Sequence, residues 1–291
     1  MDENDQLASQ FEENRAQLRA VAYRMLGSVS EAEDAVQEAW LRLSRSDAGE
    51  IQNLGGWLTT VVSRVCLDQL RSRKTRREDP LDDLFVPDPI LSPVDPEEEA
   101  VRADAVGLAM MVVLEKLSPA ERLAFVLHDM FGLSFDEIAE IVDKTPAAAR
   151  QLASRARRRV QGAPIADNDV NRQREVVDAF LAASRGGDFE ALLSLLDPDV
   201  VLRADAGTTE ARGPAVSKLV RGALAVVEQA LMFSRMSPHS RPAMVNGRPG
   251  MVTVVNDTLM GVMDLTISNG KITEINILAD LPRLKSLPIP A

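Results

Sequence analysis

SPAERLAFVLHDMFGLSFDEIAEIVDKTPAAARQLASRARRRV, residues 118–160, is the stretch that decides the fold. Ser118-Pro119 with Glu121 is a helix start, and the helix it opens is apolar at Leu123, Phe125, Val126 and Met130 until Gly132 stops it. Ser134 and Glu137 form a capping-box pair for a second, short helix through Ile138, Ala139, Ile141 and Val142. A turn at Asp143-Lys144-Thr145 follows, and Thr145 with Pro146 suits the cap and first position of a third helix, 147–160. No acidic residue occurs between Lys144 and Ile165, so the third helix is purely basic. Together these features predict a helix-turn-helix whose last helix enters a DNA groove. Short Ala147, Ala148, Ala149 and Ala153 would allow close approach. Arg150, Gln151, Ser154 and Arg155 would face base edges, and Arg157, Arg158 and Arg159 would clamp phosphates. The bland alternative is a solvated helix end whose arginines complement its own dipole.

The rest of the 291-residue chain is acidic, with a net charge of −11. Such a balance repels nucleic acid overall, but screening beyond about 8–10 Å leaves a local basic face effective. The length suggests two or three domains, and 45% hydrophobic residues suffice for separate cores. No apolar run reaches the ~18 residues of a spanning helix, and no signal peptide is legible, so the expectation is a cytoplasmic protein with no membrane partner. One cysteine, Cys66, excludes an internal disulfide and suits a core position; two histidines, His128 and His239, offer no metal site. No cofactor is expected.

Upstream, 11–26 is an amphipathic helix with Leu18, Val21, Ala22, Met25 and Leu26 inward, ended by Gly27. Ser30 is the expected cap of the next helix, whose stripe is Ala35, Val36, Ala39, Trp40 and Leu43. A third helix, 56–77, buries Trp57, Leu58, Val61, Val62, Val65, Leu67 and Leu70 and ends in Arg71, Arg73, Lys74, Arg76 and Arg77, a phosphate-binding cluster. From 79 to 104 the composition turns to proline and acid, the mark of a stiff, extended linker. A helix at 100–117 should pack on the helix-turn-helix.

These segments resemble the extracytoplasmic-function (group IV) bacterial RNA polymerase sigma factors: EAEDAVQEAWLRL with GGWLTTVVSRVCLDQLRSRKTRR resembles their region 2, and 118–160 their region 4. The resemblance implies domains at 1–78 and 105–162 around the 79–104 linker. It also implies docking of Asp34, Gln37 and Glu38 on core RNA polymerase, and promoter DNA as the second partner. The basic end of the third helix would face the −10 element, with Ser63, Arg64, Asp68 and Arg71 as candidates for an extruded base. Arg64 stands where the family often carries asparagine.

After a second break at 162–168 the pattern changes. Helices are expected at 174–185, 189–196 and 215–231, with a strand at VVLRAD. PGMVTVVNDTLMGVMDLTISNGKITEINIL gives three more strands, with Asn269-Gly270 a hairpin turn. Residues 168–287 resemble a SnoaL-like domain, an α+β cone with a curved sheet, so the expected fold is multidomain: two all-α domains followed by α+β. Arg203, Asp205, Asn256 and Asp264 are candidates to line a pocket. A subgroup of these sigma factors carries this fused domain, and the resemblance implies control in cis, by intramolecular contact with region 2 or the linker. The linker motif would be Phe85-Val86-Pro87-Asp88-Pro89 and the loop Asp205-Ala206-Gly207-Thr208-Thr209, which departs from the family's glycine-rich, lysine-ended form. The expected function is promoter-specific transcription initiation, with no catalytic residues. The rival is a helix-turn-helix regulator whose C-terminal domain senses a ligand or acts as a cyclase- or isomerase-like enzyme through Asp205, Asp264 or His239.

Overall fold

The computed structural model describes residues 3–46, 51–76, 84–92, 108–161, 169–207, 217–232 and 238–290. They form two compact units, one of residues 1–79 with 113–162, the other of 80–112 with 163–291.

In the first unit, α1 (Glu3–Leu26), α2 (Val29–Leu43) and α3 (Leu54–Arg76) share a core of Leu18, Met25 and Leu26 with Ala35, Val36, Ala39, Leu58, Val62 and Leu67. Gly27 takes φ +70°, and Ser28, not Ser30, caps α2 by accepting from the Glu31 backbone N–H. The cap moves because the extended Ser28 directly follows the glycine turn. Likewise α3 begins two residues before Gly56, where the Asn53 side chain accepts from the Gly56 N–H at 3.0 Å. Cys66 is buried, and burial pushes its thiol up to about 12.

Helix α4 (Leu108–Glu115) leads to α5 (Pro119–Phe125), which continues as a π-turn at Val126–Met130. Then come α6 (Phe135–Val142) and α7 (Pro146–Val160). The expected capping box of Ser134 with Glu137 forms, the Ser118 helix start proves to be a second one with Glu121, and Thr145 Oγ1 accepts from the Ala148 N–H at 3.2 Å. Asp143, left-handed at φ 55°, supplies the turn. Arg122, a fully buried arginine, ties these helices to α1: its Nε donates to the Arg24 carbonyl at 2.9 Å and its Nη1 to Glu115 at 2.5 Å. An ion pair this deep must be complete, because loss of one partner strands a charge.

The second unit packs α8 (Val170–Gly186), α9 (Phe189–Leu195) and α10 (Ala223–Met232) against an open seven-stranded sheet. Its strands are β1 (Leu91–Ser92), β2 (Leu196–Asp205), β3 (Lys218–Arg221), β4 (Ser240–Val245), β5 (Arg248–Val255), β6 (Thr258–Ser268) and β7 (Lys271–Leu278), in the order β1-β4-β5-β6-β7-β2-β3. Among the described strands only β2 and β7 pair in parallel. The expected helix at 215–231 is shorter: Lys218–Arg221 pairs with β2, and Gly222, at φ +88°, turns the chain into α10. Asn269-Gly270, both at positive φ, form the expected hairpin turn between β6 and β7. Asn246-Gly247 and Asn256-Asp257 make equivalent turns. The helix-facing side is apolar, with Leu202, Leu265 and Ile275 against Val177, Phe180 and Val226. A short helix, α11 (Leu281–Leu284), capped by Asp280, follows β7.

Ile275 is fully buried at the centre of this core. Replacing it with alanine should lower the stability of the α+β unit by about 2–5 kcal/mol, measured as a fall in its urea midpoint with unchanged slope.

Candidate functional site

The three caps fix how α7 is presented. Its buried side is Ala149, Leu152, Ala153 and Ala156, so Ala149 and Ala153, expected at a groove, instead pack inside the unit. Arg150, Gln151, Arg155 and Arg158 are exposed and Ser154 is half-buried. Arg157 donates to Asp129 at 2.6 Å and Arg159 to Glu121 at 2.7 Å, so two of the three expected phosphate clamps also hold α7 onto α5 and its π-turn. Burial opposes ionisation of Glu121. Hydrogen bonds from the Ser118 hydroxyl and backbone, with Arg159 and Arg155 nearby, nevertheless hold its carboxyl below the ordinary value of 4.5.

On α3, Arg64, Asp68 and Arg71 are exposed, and Arg71 lies 3.7 Å from Asp68. Arg64 donates to the Glu140 carbonyl on α6 at 2.9 Å. Arg73 bonds the Leu26 carbonyl at 3.1 Å and pairs with Glu31. Ser63, expected at the surface, is fully buried, because it lies on the stripe of Val62, Cys66 and Leu67. Lys74 and Arg76 occupy the last turn of α3, and Arg77 lies outside the described residues.

The acidic face of α2 exposes Asp34 and Gln37, while Glu38 is half-buried and bonded to Arg42 at 3.0 Å. Beside it, α1 and α2 enclose a groove of about 550 Å³ lined by Phe11, Arg15, Glu33, Val36, Gln37 and Trp40. The Phe11 and Trp40 rings lie 5.0 Å apart.

In the second unit the 84–92 segment lies on the sheet. Arg283 of α11 gathers it: Nε donates to Asp88 at 2.7 Å, Nη1 to Asp205 at 2.8 Å and Nη2 to the Val86 carbonyl at 2.6 Å, while the guanidinium sits 4.8 Å from the centre of the Phe85 ring. Asp205 Oδ2 also accepts from the Val86 N–H at 3.1 Å, and its Oδ1 from the Gly207 N–H at 3.0 Å. Gly207 has φ +75°, and a Cβ there would lie 2.6 Å from the Asp280 carboxylate. Farther along, Ile90 exchanges two 2.8 Å bonds with buried Asn246, and β1 extends the edge of β4. Pro87 and Pro89 flank buried Asp88 within this segment; Thr208 and Thr209 lie outside the described residues.

Away from the helices, Arg203, Asn276 and Asp264 stand abreast on β2, β7 and β6. Arg203 donates to Asn276 at 3.3 Å and to Glu274 at 3.4 Å. Burial pushes the Asp264 carboxyl up to about 7, with Arg248 pulling the other way. Asn256 is exposed in its turn, apart from this row, and His239 is exposed just before β4. Among the described residues no group of three or more His, Cys, Asp or Glu side chains is placed to hold a metal ion, and no helix is long and apolar enough to cross a membrane.

The Sigma-70 region 2 family matches residues 10–76, and Sigma-70, region 4 matches 108–160. The probable ECF RNA polymerase sigma factor SigI of Mycobacterium tuberculosis is 38% identical, over 99% of this chain and 98% of the relative. The chain belongs to the ECF sigma factors. SigJ of the same organism is 39% identical over 97% of this chain and 94% of its own. The crystal structure of SigJ aligns at a TM-score of 0.76 with 37% identity, covering 97% of this chain and 99% of that one, including the C-terminal SnoaL-like domain. This sigma factor therefore binds RNA polymerase and directs promoter-specific initiation, through helical regions whose folds are those just described.

In this sigma factor residues 85–89 and Asp205 stand out from the sequence, whereas Arg283, which bonds Val86, Asp88 and Asp205, and Asn246, which bonds Ile90, do not. The available signals were Asp280-Leu281-Pro282, a cap and first-turn proline announcing α11, and Asn246-Gly247, a hairpin turn. In region 4, Ser134 hydrogen bonds hold the Glu137 carboxyl below its ordinary value, as Glu121 is held below its own. Stabilisation from a depressed carboxyl is complete above the ordinary value and lost as pH falls through the folded one. The helical unit should thus lose thermal stability on acidification below about pH 4.5. Glu121→Gln should lower its neutral-pH melting temperature and flatten that acid loss, both read by far-UV circular dichroism.

Proposed function

We propose that the C-terminal domain controls this sigma factor in cis by fastening its linker, and that release of residues 85–92 accompanies assembly of the active holoenzyme. The observation that carries this reading is the Arg283 guanidinium, shared among Asp88, Asp205 and the Val86 carbonyl. The fastened segment is the one that joins α3 to α4 in sequence, so holding it limits how far the promoter-binding helices can separate. Charge-assisted bonds contribute about 1.5–3 kcal/mol each and are not additive. A difference of a few kcal/mol between fastened and released states is enough to change their populations by about 10- to 100-fold.

In the same reading Arg150, Gln151 and Arg155 read the −35 bases and Arg158 holds phosphate. Arg64 and Arg71 meet the −10 element, and Asp34 and Gln37 dock on core polymerase in the cytoplasm. Exposure supports each of these roles. Arg64 must leave the Glu140 carbonyl to reach DNA, and Arg157 and Arg159 contribute to region 4 stability as much as to phosphate binding. The C-terminal domain acts as a regulator and not as a catalyst.

The test is transcription from a cognate promoter by reconstituted holoenzyme. Arg283→Ala, which removes all three bonds, should raise output severalfold at limiting sigma factor, and Asp88→Asn should do so more weakly. Output unchanged by Arg283→Ala and by truncation after Ala166 would remove the proposal.

A further inference from the structure

Arg150 differs from its neighbours on α7. Arg157 and Arg159 are anchored by carboxylates, whereas among the described residues Arg150 makes no ion pair; its guanidinium carbon instead lies 5.2 Å from the centre of the Phe135 ring. Phe135 is the first residue of α6, and the Ser134–Glu137 capping box fixes its backbone. Its ring is stacked on His128, with centroids 3.9 Å apart and planes inclined by 27°. The histidine is oriented in turn. Its Nδ1 lies 2.8 Å from the Leu133 carbonyl, which can only accept, so Nδ1 carries the proton and donates. His128 sits in the π-turn at Val126–Met130, and Gly132, at φ +72°, brings Leu133 back over it. Such π-turns often occur where a side chain is positioned for function.

We propose that His128 and Phe135 are positioning residues for promoter recognition: the stack built on the π-turn holds the Arg150 guanidinium ready for a base edge. The inference rests on the reading of α7 as the −35 recognition helix. An exposed arginine samples many rotamers, and a base contact must select one of them. An aromatic face restricts that choice in advance, so less freedom is lost when the guanidinium meets a guanine edge bidentately. Phosphate contacts made by other residues do not depend on this platform. Its loss should therefore weaken discrimination between bases more than overall affinity.

The experiment is a double-mutant cycle on reconstituted holoenzyme, measuring binding to a promoter and to its single-base −35 variants, with melting temperatures recorded in parallel. His128→Ala and Phe135→Leu should each reduce discrimination about two- to fivefold, the range for an exposed cation–π contact, at the base position where Arg150→Ala abolishes it. Neither should reduce it further in the Arg150→Ala background. Phe135→Tyr, which keeps the ring, should restore discrimination. His128→Gln, which keeps a donor for the Leu133 carbonyl but lacks the ring, serves where His128→Ala fails to fold. Lower stability with unchanged discrimination, or an equal loss with and without Arg150, would overturn the positioning role and leave the stack as core packing. Discrimination untouched by Arg150→Ala itself would instead remove the −35 assignment of α7, and the inference with it.

Discussion

A single guanidinium holds the 85–88 segment against the C-terminal unit. Arg283 faces two carboxylates and a carbonyl, and only a planar fork of donors can satisfy Asp88, Asp205 and Val86 together. Asp88 is almost wholly buried, where a carboxylate is costly to place unless it is paired. The dependence is mutual, because the same Asp205 also accepts from the Val86 and Gly207 amides and so shapes both the linker and the loop. Such a site favours one geometry strongly, yet water can replace most of its bonds once the segment leaves. This combination suits a reversible fastening better than an apolar contact of equal area.

The helical unit uses the same device for a different end. Arg122 joins α5 to Glu115 and to the end of α1, while Arg64 on α3 reaches the Glu140 carbonyl on α6. The two sigma regions are thus held in one unit partly by these arginine bonds to main-chain carbonyls. Arg157 and Arg159 show the same economy, since each pairs with a carboxylate while projecting from the basic helix. Asp129 and Glu121, lying opposite, offset part of the one-signed charge along α7.

What was legible in the sequence was local. Ser118, Ser134 and Thr145 announced three helices because a cap acts within one turn, and Asn269-Gly270 announced a hairpin because its turn conformation is intrinsic. The α+β character of the C-terminal domain was implied by its resemblance to a SnoaL-like domain, which the pattern of helices, strands and turns supported. The failures were non-local or rotational. Lys218–Arg221 continued a helical pattern but found partners on β2, and pairing overrode propensity. Ser63, Ala149 and Ala153 were assigned to the wrong side of their helices, since periodicity gives a stripe but not its edges. Arg283 lies 195 residues from Asp88 in the chain, and nothing short of the folded sheet brings them together.

On the proposed control in cis, the linker is held on the sheet in the free protein and freed in the working complex. Amide hydrogen exchange at Val86 and Ile90, whose N–H groups donate to Asp205 and Asn246, measures this most directly. Both amides should be protected in the isolated sigma factor, lose protection in the transcribing holoenzyme, and lose it in the free chain on Arg283→Ala. Rapid exchange in the isolated protein, or protection that persists in an active holoenzyme, would contradict the account.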